Sequence, residues 1–191
     1  MKLIFATNNN NKIIEVQALL NKKFDIQSLK DINCFDEIVE SKKTIEGNAI
    51  LKAEYVYNKY KVNCFADDTG LEVESLHGLP GVMSKRFSGS DYSAEKNISK
   101  LLSMMKTSSN RKAKFKTVIA LILNGELSVF SGVCEGEIIF TKKGLKGFGY
   151  DPVFKPNGHK FTFAEMDMEI KNTIGHRAKA VKKLIEFLTK K

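Results

Sequence analysis

Phe115 to Leu123 and Leu127 to Val133 are two strand-like apolar runs joined through Asn124-Gly125. Asn-Gly between such runs is the strongest short-range hairpin signal, because both residues accept the positive φ that a type I′ turn demands. The chain must therefore accommodate an antiparallel pair. Its N-terminal part reads differently. Leu3 to Ala6 reads as a buried strand, residues 7–12 as a polar loop, and Ile13, Val16 and Leu20 share one face of a following helix. Asp25 to Leu29 offers a second strand. Strands and helices that alternate and then give way to a hairpin predict an α/β class with a mixed sheet.

The 191 residues, 42% hydrophobic and 28% charged, suit a single domain over 1–191 with a proper core. A formal charge of +9 raises the question of nucleic acid, but only Arg86, Arg111 and Arg177 are arginines, and the lysines are strewn along the chain. A solvated lysine surface fits that distribution better than a dedicated nucleic-acid face, and a phosphate-rich small ligand is equally compatible with the charge. Cys34, Cys64 and Cys134 are odd in number and far apart, so they predict neither a disulfide framework nor a zinc site, but reduced core residues of a cytoplasmic protein. No apolar run approaches the roughly 20 residues of a membrane span, and none at the start resembles a signal peptide.

Chemistry concentrates at Phe65-Ala66-Asp67-Asp68-Thr69-Gly70. Cys64 to Ala66 reads as a short buried strand and Leu71 to Val73 as its continuation, so that Asp67 and Asp68 fall at a break where Gly70 permits a bend. Paired carboxylates there suit a hard cation such as Mg²⁺, which takes one or two protein oxygens. An ordinary Asp/Gly turn is the competing reading. The loop Thr7-Asn8-Asn9-Asn10-Asn11-Lys12 lies at a helix N-terminus, where backbone N–H groups favour anions and Lys12 can reach a phosphate. It lacks the glycines of a Walker A loop.

Thr44 predicts the N-cap of a helix in which Ala49, Ala53, Val56 and Tyr60 form the apolar stripe, leaving Asn48 and Lys52 together elsewhere on the surface. Asp91 or Ser93 caps a helix with Ile98, Leu101, Leu102 and Met105 inward. Glu137 to Phe140 reads as one more strand. The loop Gly144 to Pro152 exposes aromatics suited to a flat ligand. Thr162 with Glu165 predicts a capping box for a short helix, and Val181, Leu184, Ile185 and Leu188 mark the last helix.

Five motifs, TNNNNK (7–12), FADDTG (65–70), GLPGVMSKRFSG (78–89), GFGYDPVF (147–154) and IGHRAKA (174–180), together resemble the inosine/xanthosine triphosphate pyrophosphatases. The resemblance runs in register over essentially the whole chain. It implies an elongated, two-lobed mixed β-sheet flanked by helices with a cleft between the lobes, a homodimer, and Mg²⁺-dependent hydrolysis of non-standard purine nucleoside triphosphates (ITP, dITP, XTP) to monophosphate and pyrophosphate, which keeps them out of DNA and RNA. It further implies Asp68 as proton acceptor or metal ligand, Glu40 as second metal carboxylate, and Thr7, Asn8, Asn9, Asn10, Asn11, Lys12 and Thr69 as substrate contacts. By the same resemblance Phe148, Gly149, Tyr150, Asp151, Lys171, His176 and Arg177 grip substrate and base. One departure stands out: Gly47 occupies a position where that family carries a glutamate. The alternatives are a related pyrophosphatase for pyrimidine or modified nucleotides, and a basic nucleic-acid-binding module that would turn over no nucleotide.

Overall fold

The computed structural model describes residues 1–20, 24–89 and 93–190. A mixed sheet is built from β1 (Lys2–Phe5), β2 (Asp25–Ser28), β3 (Cys64–Val73), β4 (Pro80–Gly81), β5 (Lys112–Leu123), β6 (Glu126–Ile138) and β7 (Phe154–Pro156). The strand order is β2-β1-β3-β5-β6-β7, with β4 paired to β3 off that path. β1 runs parallel to both β2 and β3, whereas β4 is antiparallel to β3 and β7 antiparallel to β6. The helices are α1 (Asn10–Leu20), α2 (Ile45–Tyr60), α3 (Ala94–Met104), α4 (Met168–Ile174) and α5 (His176–Leu188).

The hairpin forms as its turn residues require, with Asn124 at φ 52° and Gly125 at φ 86°. Residues 117–123 of β5 are buried without interruption, while β6 alternates between exposed and buried positions. A strand covered on both faces reads as a continuous apolar run, and one covered on a single face alternates. The predicted strand from Glu137 to Phe140 is not separate: Glu137 and Ile138 are the end of β6, paired with Lys155 and Phe154 of β7. The predicted capping box forms a turn instead of a helix start. Glu165 accepts the Thr162 N–H at 2.8 Å, but the Thr162 hydroxyl donates to the Lys143 carbonyl, and α4 begins only at Met168 after Asp167. Thr44 and Ser93 cap α2 and α3, accepting from Gly47 N and Lys96 N; the alternative cap Asp91 lies outside the described residues.

The chain divides into two compact units, one of residues 1–68, 117–132 and 177–191, the other of residues 69–116 and 133–176. Each has its own apolar core. In the first, Leu3, Phe5, Val16, Leu20, Phe65, Ile119, Leu121, Val181, Leu184 and Leu188 pack together, and the Phe5 and Phe65 rings stack 4.5 Å apart across the β1–β3 pair. In the second, Leu71, Val73, Ile98, Leu101, Met105, Phe115, Phe154 and Phe163 form the centre, with Phe115 edge-on to Phe154 at 4.7 Å. Cys34, Cys64 and Cys134 are buried thiols, and burial pushes that of Cys64 up to about 12.

Gly136 of β6 lies opposite Pro156 of β7, and a Cβ there would stand 2.7 Å from Phe154 Cζ and against the Lys155 carbonyl. Gly136→Ala is therefore expected to lower unfolding free energy by about 1–3 kcal/mol through overpacking, read from urea denaturation.

Candidate active site

In the first unit the site is organised by β3. The expected break at Asp67 and Asp68 does not occur: Cys64–Val73 is one continuous strand, and both carboxylates are inside it, 1% and 6% exposed. Successive strand residues face opposite sides, so the two acids serve different neighbourhoods. Phe65 shares its side with Asp67 and joins the core made with α1 and α5. On the other side Cys64 Sγ donates to the Ala53 carbonyl of α2 at 3.3 Å, and Asp68 faces that same helix.

Asp67 Oδ1 accepts from Lys12 Nζ at 2.9 Å, and its Oδ2 accepts from Arg177 Nε at 3.1 Å. Arg177 Nη1 in turn pairs with Glu15, which is buried on α1. Burial alone would raise the Asp67 pKa, but Lys12 and Arg177 outweigh it and hold the carboxyl below the usual range. Arg177 moves the opposite way, burial being overcome by Asp67 and Glu15. Lys12 is lowered by burial and by the nearby Lys52 and Arg177, against the pull of Asp67. Sequence reasoning missed Glu15, although a carboxylate adjoining the inward Val16, three residues after Lys12, was a visible signal.

On the α2 side Lys52 Nζ donates to Glu40 Oε1 at 2.5 Å and to Asp68 Oδ1 at 3.2 Å. The spacing sets Asn48 and Lys52 together as expected, but neither lies on the surface: Asn48 is fully buried, and Lys52, only 8% exposed, carries charge into the site. Burial, together with Glu40 and Asp67, raises the Asp68 pKa despite the two lysines. For Lys52, burial is outweighed by Asp68, Glu40 and Asp67, and its pKa is raised. Lys12 and Arg177 balance Asp67 and Glu15 on one side of β3, whereas on the other Glu40 and Asp68 meet Lys52 alone, one negative charge in excess. A divalent cation would turn that excess positive and make the region attractive to a polyanion. Among the described residues no group of three or more His, Cys, Asp or Glu is arranged to hold a metal. Two carboxylates converging on one cationic centre, here the Lys52 ammonium, do fit Mg²⁺, which draws few ligands from protein.

The 7–12 loop is shaped by its own side chains. Asn9 Oδ1 accepts the N–H groups of Asn11 and Lys12, and Thr7 Oγ1 accepts that of Asn9, which leaves Asn8, Asn10 and Asn11 exposed. At Gly47 a Cβ would lie 2.9 Å from both Lys42 Cβ and Thr44 Oγ1, so the local packing follows from glycine at that position.

In the second unit Asp151 Oδ2 accepts from the Phe148 N–H at 2.9 Å and from Lys171 Nζ at 2.6 Å, both polar side chains being buried. Gly147, at φ 73°, has no room for a Cβ beside the Asp151 carboxylate. The Lys171 ammonium stands 5.1 Å from the Phe148 ring centre and 5.3 Å from that of Phe163. Phe148 and Gly149 are half-buried, with open space around the Gly149 Cα. Tyr150 sits in the apolar core, its hydroxyl donating to the Ser84 carbonyl, and burial raises its pKa. The His176 ring stacks on Phe115 at 4.7 Å, and Thr69 is half-buried. The chain passes between units at Asp68-Thr69 and again at His176-Arg177, so each of these neighbouring pairs is divided between them.

Fold and site together define a mixed α/β protein in which one strand, β3, buries two carboxylates among lysine and arginine. The profile of the Ham1 family matches residues 3–187. The chain is 57% identical over 189 residues to a Flavobacterium johnsoniae protein named dITP/XTP pyrophosphatase, covering 99% of this chain and 98% of that one. It is 53% identical to a protein of the same name from Christiangramia forsetii, with both chains fully covered. A HAM1 protein structure from Coxiella burnetii superposes with a TM-score of 0.92 at 34% identity, covering 100% of each chain, and the Staphylococcus aureus Ham1 protein with 0.90 at 35%, covering 99% and 98%. The chain belongs to the Ham1 family.

Removing one partner from a buried ion-pair set strands the others. Asp67→Asn is expected to lower stability by about 3–5 kcal/mol in urea denaturation. The native Asp67 pKa lies below its ordinary 3.8, so its contribution is whole above that pH and declines as pH falls toward the native value. The stability gap between the unmodified protein and Asp67→Asn should accordingly be wide at neutral pH and narrow in acid.

Proposed function

We propose that the protein hydrolyses non-standard purine nucleoside triphosphates, dITP, XTP and ITP, to the monophosphate and pyrophosphate. The observation that carries this reading is the buried Glu40–Lys52–Asp68 cluster in a chain 57% identical to a named dITP/XTP pyrophosphatase. When bound, Mg²⁺ held by Asp68 and Glu40 would neutralise phosphate oxygens and polarise the attacking water. Asp68 takes the proton of the water whose oxygen bonds to the α-phosphorus, while the bond to the bridging oxygen breaks and pyrophosphate leaves. Lys12 and Lys52 supply positive charge to the departing group.

The remaining assignments belong to the same reading. Asn8, Asn10 and Asn11 offer exposed polar groups at the start of α1, Thr7 and Asn9 hold the loop's shape, and Thr69 contacts substrate. In the second unit Phe148 offers a stacking face, Gly149 leaves space, and the Asp151–Lys171 pair holds the loop from within, with Tyr150 as its anchor. A donor from His176 or Arg177 against a 6-carbonyl would favour hypoxanthine and xanthine over adenine, since arginine has donors only. Arg177 also belongs to the Asp67–Glu15 ion pairs, so Arg177→Ala removes stability together with any base contact. Selectivity is therefore best read from the unmodified enzyme. A homodimer and a cytoplasmic location complete the proposal; buried thiols suit a reducing compartment, and among the described residues no helix is long and apolar enough to cross a membrane.

A panel of triphosphates with Mg²⁺ tests the function. ITP, dITP and XTP should exceed ATP in kcat/KM by roughly 10²-fold or more, with pyrophosphate as product. Equal turnover of ATP, preference for pyrimidine nucleotides, or salt-sensitive nucleic-acid binding without turnover would each displace the proposal. Asp68→Asn should remain folded and lose about 10²-fold or more in turnover. Phe148→Ala should weaken substrate binding by about 1–3 kcal/mol, the scale of a base–aromatic stack, as read from KM and inhibitor affinity.

A further inference from the structure

Asn48 is fully buried in the first turn of α2, one helical turn before Lys52 and on the same face. Its Oδ1 accepts the Lys42 N–H at 2.9 Å, which fixes the orientation of the amide and ties it to the loop that carries Glu40. Its Nδ2 is also buried, and no hydrogen-bond partner among the described residues meets it. Leaving a buried donor unmatched is costly. A polar donor kept there has a use when an acceptor arrives.

Three features identify that acceptor. The first turn of a sixteen-residue helix carries the positive end of the helix dipole, which favours anions. Lys52 beside it is a buried cation whose ammonium donates to Glu40 and Asp68. The amide itself is uncharged and donates without adding to the charge already gathered there. We infer that Asn48 donates its Nδ2–H to a phosphate oxygen of the bound nucleotide, making it a further substrate-binding residue that also holds the Glu40 loop through Lys42. This rests on the nucleotide-hydrolase reading above and adds to it a donor on α2.

Asn48→Asp and Asn48→Ala separate the two duties. The aspartate keeps an acceptor for the Lys42 N–H but, when ionised, places negative charge where the phosphate would lie; the alanine removes both groups. Pyrophosphate binding with Mg²⁺ is measured by calorimetry, KM and kcat with ITP, and folding by thermal melting. Both variants should bind pyrophosphate about tenfold or more weakly, the scale of one lost hydrogen bond to a charged group, with KM rising more than kcat falls. Asn48→Asp should melt closer to the unmodified protein than Asn48→Ala does. Unchanged pyrophosphate affinity in whichever variant folds, or no pyrophosphate binding by the unmodified protein, overturns the inference. Failure of the unmodified protein to hydrolyse ITP, dITP or XTP overturns the functional reading instead, and that assay uses neither variant.

Discussion

Two adjacent carboxylates inside a buried strand are the constraint on which the first unit depends. Isolated, each would be driven to protonate or to leave the interior. The strand's two-residue period sends them to opposite faces, so each must find its own cation there. Asp67 takes Lys12 from α1 and Arg177 from α5, and Asp68 takes Lys52 from α2. Three helices are thereby tied to one strand by charge as well as by their apolar stripes.

The two acids end in different states for that reason. Asp67 meets two cations, and its carboxyl is held well on the ionised side, as suits a structural anchor. Asp68 shares Lys52 with Glu40, and burial pushes its proton affinity up, as suits a group that exchanges a proton or a cation. Adjacent identical residues thus differ in chemistry through their neighbours alone. The second unit uses a related device, since the Asp151–Lys171 pair and the Phe148 N–H fold the glycine loop around one buried carboxylate.

Much of the fold was legible from local chemistry. Asn124-Gly125 declared the hairpin and Thr44 the start of α2, because backbone preference and periodicity are properties of short stretches. The failures were also local readings. Asp67 and Asp68 were read as a break because charge ordinarily marks a strand end, and Thr162 with Glu165 as a helix start because the capping-box spacing is shared by a turn.

By itself the sequence determined the mixed α/β class, the hairpin and the family, since these follow from periodicity, turn residues and motifs in register over the chain. Only the tertiary structure decided that Glu15 answers Arg177, that Lys52 is a buried bridge between Glu40 and Asp68, and that Asn48 Nδ2 meets no acceptor among the described residues. Glu15 and Arg177 lie far apart in the chain, as do Lys52 and Asp68 on a smaller scale. Their pairing, and the pKa values that follow from it, depend on distance in space and on burial, neither of which is a property of a local stretch.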